Sequence, residues 1–439
     1  MITIQQTVAL IDKIPNTTAV GHDDINNRFI KKKKHVIAPH ITHLINSIIL
    51  TKIYPHIYKI TRVLPQSKPS TDTNFIENYR PLSNLCSVEK IIEQYFLSHL
   101  ESFFTDNKLF NNSLHGGRKD HSTLTAITEI YHNLYKNKEE NLTSVILATN
   151  LSTVYDTIDT KILIDKMNHY GIGNEWHPLF LSFLNGRQQF VKLDTRNSIL
   201  RNYINCGSIQ GAKLSGFFFN LYNNEIPLLP KLINTKLFFK MGGQKLDIKG
   251  IGHSIVTYVD DNSNIISFKN HEKIKSYLEN YFILLKTYYN INKVKLNSDK
   301  TKLAIFHKNK MENLFKNFTF KAGNDIIKNS NSIKILGTII QCDLHMDKTI
   351  NKLCSELHNK IHNIRKLTPY TNFNTRAKFL NAFVMGKLNY MVPIYSLATQ
   401  ANLKKLHKVI MTAARAAVGN YCFRKSISYT LSKCKWSIF

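Results

Sequence analysis

Adjacent carboxylates are the first residues in this chain equipped for chemistry. Asp260 and Asp261 follow the run Ser254-Ile255-Val256-Thr257-Tyr258-Val259, and Asn262-Ser263 then leads into Asn264-Ile265-Ile266-Ser267. That order reads as strand, polar turn (260 to 263) and strand. Consecutive side chains on a strand leave by opposite faces, but at a turn both reach one patch of solvent. An Asp pair in a turn is most often local turn chemistry, because Asp bonds its own backbone there. The apolar lead-in changes the weighing. A buried strand that delivers two acids at its end suits a hard divalent cation held beside substrate phosphates.

The elements that must position such a pair are legible in the spacing. Ile30, Ile37, Ile41, Leu44, Ile45, Ile48 and Ile49 recur at helical intervals between about Asp24 and Ile60. Ile91, Ile92, Tyr95, Phe96 and Leu100 mark a second helix, and Leu124, Ile127, Ile130, Tyr131 and Leu134 a third. Val145-Ile146-Leu147 is a short buried-strand candidate, and a helix from Thr160 to Tyr170 meets a stop at Gly171. Beyond Leu344 the character changes. Ile350, Leu353, Leu357, Ile361, Ile364 and Leu367 form an amphipathic stripe, followed by helical stretches near 379–388 and 403–417, the last with Lys404, Lys405, His407 and Lys408 on its polar side.

Composition narrows the class. A chain of 439 residues, 43% of them hydrophobic, can build more than one packed core, which excludes a disordered protein. Lys and Arg number 59 against 30 Asp and Glu, a formal charge of +29 that calls for a polyanionic partner, nucleic acid or an acidic membrane surface. Cys86, Cys206, Cys342, Cys354, Cys422 and Cys434 are scattered, with neither disulfide-scaffold nor zinc-ligand spacing. No apolar run reaches about eighteen residues and no secretory leader stands at the N-terminus, so the expectation is an intracellular protein without a membrane partner, in nucleus, cytoplasm or both. Lys31-Lys32-Lys33-Lys34-His35 fits a solvated helix face, a nuclear address or a phosphate contact.

Tyr258-Val259-Asp260-Asp261 resembles the signature of reverse transcriptases, and the blocks around it resemble those of non-LTR, LINE-type elements, particularly the jockey-like ones. Six blocks stand in the family's order across about Gly21 to Phe439. They are Asn78-Tyr79-Arg80-Pro81-Leu82-Ser83-Asn84-Leu85, then His115-Gly116-Gly117-Arg118 with His121-Ser122-Thr123, then the ten residues from Asn150 to Asp159. Gln210-Gly211-Ala212-Lys213-Leu214-Ser215-Gly216, the aspartate hairpin, and Asn297 to Lys302 with Ile335-Leu336-Gly337 complete the series.

The resemblance implies an α+β right-hand polymerase, with fingers, a palm built of a small antiparallel sheet plus helices, and a helical thumb. Residues 1–60 would be an N-terminal helical extension, 61–345 fingers and palm, and 346–439 the thumb, expected to be truncated because its pattern still runs at Trp436-Ser437-Ile438-Phe439. It implies RNA-directed DNA synthesis with two magnesium ions, manganese able to substitute, from an RNA template, a DNA primer and dNTPs. Protein partners are not implied. Asp260 would be the principal metal ligand with Asp261 beside it, and the Leu151 carbonyl would add an oxygen. Tyr155 would close off the nucleotide's 2′ position, which favours deoxynucleotides and disfavours an RNA-directed RNA polymerase. Gln210 and Gly211 would line the incoming base and template, Lys68 and Arg80 would cradle the triphosphate, and Lys300 would sit near the leaving pyrophosphate.

Asn150 departs from the family, which has an Asp there that bridges both metals. An amide oxygen keeps the shape and loses the charge, a cost on the order of 10²-fold in rate. Asp156 matches another family position, and Asp159 suits a helix N-cap better than a substitute ligand. Gly117 stands in place of an aromatic and Gly216 in place of a Pro, and the sequence starts without the endonuclease domain that such elements carry upstream, so a fragment or decayed copy is expected. An impaired polymerase is therefore the leading expectation, and a catalytically dead nucleic-acid-binding relic or fragment is the alternative.

Overall fold

The first fifty residues wind into helices because their apolar positions recur every three to four residues. In the computed structural model, which describes residues 1–16, 19–68, 72–151, 157–193, 196–202, 207–307, 311–323, 325–419 and 427–436, α1 (Ile4–Lys13) opens on a capping box between Thr3 and Gln6. α2 (Asn27–Lys32) and α3 (Lys34–Thr51) follow and bury Ile30, Ile41, Ile45 and Ile48. β1 (Ile60–Ser67) and β2 (Tyr79–Asn84) then pair antiparallel. α4 (Ser87–Asp106) and α5 (Thr123–Glu139) come next, the second begun by a capping box at Ser122. β3 (Thr143–Leu151) carries the fully buried Val145-Ile146-Leu147.

α6 (Thr160–His169) confirms two local signals. Asp159 Oδ1 accepts the Ile162 amide at 3.0 Å as the N-cap, and Gly171 follows the helix at φ +85°. α7 (His177–Leu184), β4 (Gln188–Leu193), β5 (Arg196–Asn197), β6 (Arg201–Asn202), α8 (Lys213–Tyr222) and α9 (Lys236–Lys240) lead to β7 (Ile251–Tyr258) and β8 (Asp261–Phe268). Then come α10 (Lys273–Ile291), β9 (Leu296–Phe306), α11 (Glu312–Phe315), and two antiparallel pairs, β10 (Thr319–Ala322) with β11 (Asp325–Lys328) and β12 (Ser332–Ile335) with β13 (Thr338–Gln341). The last pair turns at Leu336 and Gly337, both at positive φ, as a two-residue type I′ hairpin requires. α12 (Asp347–Lys366), α13 (Phe373–Leu380), a π-helical turn at Asn381–Met385, α14 (Gly386–Asn389), α15 (Val392–Tyr395), α16 (Gln400–Val418) and α17 (Ile427–Cys434) close the chain. α12 buries Ile350, Leu353, Leu357, Ile361 and Ile364 as its stripe requires, and Leu367 lies past its end, partly exposed.

The chain forms two compact units. One comprises Met1–Gly117, Leu151–Lys231 and Leu284–Asn297. Its sheet runs β2-β1-β4-β5, with β6 also on β4, and all its pairs are antiparallel except β1 with β4. The other comprises Arg118–Asn150, Leu232–Ile283 and Ser298–Phe439. Its sheet runs β7-β8-β3-β9, and one apolar core joins Ile127, Ile146, Val256 and Ile265 to Ile350, Leu357 and Leu406. Helices mixed with mainly antiparallel sheets match the α+β class. Cys86, Cys342, Cys354 and Cys434 are free thiols, and Cys206 and Cys422 lie outside the described residues. Among the described residues no helix is long and apolar enough to cross a membrane.

Candidate active site

The acidic hairpin is tighter than its sequence suggests. Tyr258 pairs directly with Asp261, so the turn is the two residues Val259 and Asp260, and Asp261 already belongs to β8. The expected four-residue polar turn over 260–263 is corrected accordingly. Asn262, Ser263 and Asn264 look like turn residues but are buried in a strand that lies between β7 and β3. Tertiary hydrogen bonds make this affordable. Asn264 Nδ2 donates to the Leu147 carbonyl at 3.0 Å, and the Tyr281 hydroxyl donates to Asn264 Oδ1 at 2.6 Å. Val259 sits at φ +55°, a conformation that Gly normally fills in a hairpin and that is strained for a β-branched residue.

Asn150 pairs in register with Asp261 across β3 and β8, on the same face of the sheet. Its amide Nδ2 donates to Asp261 Oδ1 at 2.8 Å and reaches Asp260 Oδ2 at 3.5 Å. All three side chains are half-buried. Burial and the neighbouring Asp261 charge hold the Asp260 carboxyl above its ordinary range, while the Asn150 hydrogen bond and the Lys300 charge pull the other way. Two carboxylates and an amide are hard oxygen donors, the chemistry magnesium or manganese takes. Among the described residues, however, no three or more His, Cys, Asp or Glu side chains are arranged so that they could hold a metal ion. The donor set therefore fits divalent binding with two charged ligands, and its third member, Asn150, is neutral.

Lys300 lies on β9 and lines a cavity of about 200 Å³ together with Thr149, Asn150, Asp261, Lys302 and Lys334. Lys302 and Lys334 were not singled out from sequence. Lys302 could have been, since it sits two residues along a strand from Lys300 and so shares its face. Lys334 had no such signal, because β12 is brought to the cavity by tertiary folding alone. Thr149 contributes a buried hydroxyl without a hydrogen-bond partner among the described residues. Leu151, the last residue of β3, is buried beside Asn150 in the chain.

The other expected nucleotide contacts belong to the first unit. Lys68 follows β1 and its ammonium donates to the Glu77 carbonyl, while Arg80 on β2 is exposed. Gln210 lends its carbonyl to the Ser83 amide at 3.3 Å. Gly211 sits at φ +117°, where a Cβ would stand 3.0 Å from the Ser83 carbonyl oxygen, so both its conformation and its close approach demand glycine. Tyr155 and Asp156 lie outside the described residues. Gly117 has φ +64°, which strains any L side chain, and Gly216 is the fourth residue of α8 with open space around it.

Comparison with known proteins agrees with the motifs. The sequence model of the family described as "Reverse transcriptase (RNA-dependent DNA polymerase)" matches residues 31–340. The RNA-directed DNA polymerase from mobile element jockey of Drosophila melanogaster is 20% identical over 413 residues, 92% of this chain and 42% of that protein. Its counterpart from Drosophila funebris is 19% identical over 412 residues, with the same coverage. A probable RNA-directed DNA polymerase from transposon BS of Drosophila melanogaster is 21% identical over 226 residues, 52% of this chain and 25% of that protein. The chain thus spans between a quarter and about two fifths of the length of these relatives. These matches bear out the resemblance to reverse transcriptases of non-LTR, jockey-like elements.

Proposed function

We propose, since this chain belongs to the reverse transcriptase (RNA-dependent DNA polymerase) family, that its reaction is RNA-templated extension of a DNA primer with dNTPs, in the service of a non-LTR retrotransposon. The convergence of Asn150, Asp260 and Asp261 at one end of a sheet carries the reading. Asp260 and Asp261 would hold magnesium, two ions in this reading, with the Leu151 carbonyl and a turned-over Asn150 amide as neutral oxygens. When bound, the cations neutralise phosphate charge and acidify the primer hydroxyl. Lys300 attracts the departing pyrophosphate, and Lys68 and Arg80 hold the triphosphate in place. Gln210 and Gly211 line the base pair being formed, and Tyr155 excludes a 2′ hydroxyl. Residues 61–345 act as fingers and palm, 346–439 as a thumb gripping duplex with its basic helices, and 1–60 as a helical extension.

A second reading rests on one observation, the Asn150 amide donating to both acids. That arrangement satisfies the carboxylates without a cation, as in a protein that clamps RNA without extending a primer. Primer extension on an RNA template, with magnesium and dNTPs, separates the two. Extension by the native chain that disappears in Asp260→Asn supports the polymerase. Extension only after Asn150→Asp supports the binder. Silence in both, with RNA binding that falls steeply with salt, leaves binding alone. Equal extension by the native chain and Asp260→Asn would discard this site, and preferential use of rNTPs would discard the role of Tyr155.

A further inference from the structure

α8 begins without a side-chain cap of its own. Its N-cap is Ala212, which has no polar group to offer, so the helix's leading amides need partners from elsewhere. One partner comes from α4. Glu93 Oε2 accepts the backbone N–H of Lys213, the first residue of α8, at 3.1 Å. The Lys213 ammonium also donates to Gln94 on the same helix. The three residues before Lys213 are Gln210, Gly211 and Ala212, and the Gln210 carbonyl is held by the Ser83 amide of β2 at 3.3 Å. The loop is thus pinned at both ends, by β2 on one side and by a glutamate on the other.

Glu93 is an unusual residue to spend on this. It has no solvent exposure, and neither does Glu89 one turn before it on α4. Arg187, itself 3% exposed, gives its guanidinium to Glu89 and to the carbonyls of Phe183 and Tyr58. The single cation is therefore committed to Glu89, and Glu93 is left with the helix amide. The positive end of α8 stabilises an acceptor placed there, whereas a second buried negative charge so close to Glu89 is costly. Nothing in packing α4 against α8 requires a carboxylate at this position, and an apolar side chain would fill it at less cost.

We propose that Glu93 is a positioning residue that caps α8 from outside and fixes the Gln210-Gly211 loop for nucleotide binding. The nucleotide role of that loop rests on the function proposed above; the pin itself does not. Glu93 acts through the Lys213 amide. The groups that face it are Glu89 and Lys90 of α4, Arg187 after α7, Lys213 of α8, and the Tyr54 phenol. Burial and Glu89 push its carboxyl up to about 8, so the strength of the cap changes across the neutral range.

The test compares the full-length native chain with Glu93→Gln, which keeps an acceptor for Lys213, and Glu93→Leu, which does not. Amide hydrogen exchange over 209–216 should speed up about tenfold or more in Glu93→Leu and stay within about twofold of native in Glu93→Gln, with the rest of α4 unchanged. Binding of dGTP opposite a templating cytosine, on an RNA template with a dideoxy-terminated primer, should weaken about tenfold in Glu93→Leu and be rescued in Glu93→Gln. If Glu93→Leu does not fold, the pH profile of exchange at Lys213 decides. The protection factor there, exchange corrected for its intrinsic base catalysis, should change more steeply through the neutral range in the native chain than in Glu93→Gln, and coincident protection profiles would overturn the proposal. So would native exchange over 209–216 in a folded Glu93→Leu. A native chain that binds no dGTP refutes the nucleotide pocket instead, and the exchange measurements still decide the pin.

Discussion

Asp260 and Asp261 meet at a hairpin tip, half-buried, with a neutral amide between them and lysines on the neighbouring strands. Glu89 and Glu93 lie one turn apart on α4 with no exposure, and are neutralised by a guanidinium, a helix amide and a retained proton. Both are pairs of like charges within reach of each other, yet they solve the repulsion differently. The charge of the glutamates is compensated from within the protein, although Glu89 Oε2 and Glu93 Oε1 are buried without hydrogen-bond partners among the described residues, which costs stability and fixes geometry. The aspartates are compensated only weakly, which leaves their charge available to a cation. Incomplete neutralisation distinguishes a site built to bind from a site built to hold.

The contrast can be broken at its strongest point by removing Arg187. Arg187→Met strands Glu89 as a buried, unpaired acid, and denaturant unfolding should show a loss of about 3–5 kcal/mol. Adding Glu89→Leu to that variant should restore most of the loss, since the pair is worth little against an apolar replacement. A loss below about 1 kcal/mol in Arg187→Met would mean that the guanidinium is not what compensates α4.

At the hairpin the effect should depend on added metal. Asn150→Asp replaces a donor with a third carboxylate, so the metal-free protein should lose on the order of 2–3 kcal/mol through like-charge repulsion. Millimolar magnesium should return that stability by mass action. The native chain, with a neutral amide where the variant has a third carboxylate, should respond to magnesium much less. Identical melting responses in the two proteins would show that the three side chains do not act as one site.

The glutamate pair also sets a pH dependence, and its sign follows from the raised value. An unfolded Glu93 releases its proton near 4.5, whereas the folded one keeps it to about 8. Between these values the folded state binds more protons, so stability is fully present below about 4.5 and falls as pH rises toward 8. The slope contributed is at most about 1.4 kcal/mol per pH unit. Glu93→Gln should make the profile shallower, leaving the part set by Glu89, whose carboxyl burial pushes up to about 7, measured by urea unfolding from pH 5 to 8. A native profile that is already flat would place the proton elsewhere. The smallest effect belongs to the turn. Val259→Gly should relieve the left-handed backbone and gain about 1 kcal/mol, whereas a loss would show that Val259 packing outweighs its strain.

What could be read from residues alone was whatever is decided locally. Asp159 as an N-cap and Gly171 as a stop act within one turn of helix, and both stand in the structure. The stripe from Ile350 to Ile364 needs only its own period. The hairpin boundary was misplaced because Asn262, Ser263 and Asn264 carry turn chemistry in their side chains, and only the distant Leu147 carbonyl and Tyr281 hydroxyl make them strand. The place of Asn150 opposite Asp261 was foreseeable from the motifs, but the amide's donation to both acids depends on cross-strand register. Glu89 and Glu93 escaped notice for the converse reason. Glutamates four apart in a helix look like a solvated face, and nothing near them in sequence announces Arg187.

The most direct test of the acidic site is the rate of single-nucleotide extension by the native chain and by Asn150→Asp, side by side with magnesium on one primer and RNA template. If Asn150 stands where a charged ligand would complete the site, the variant should be faster by on the order of 10²-fold, and Asp260→Asn in either background should abolish extension. Equal rates before and after Asn150→Asp, with extension surviving the loss of Asp260, would contradict it.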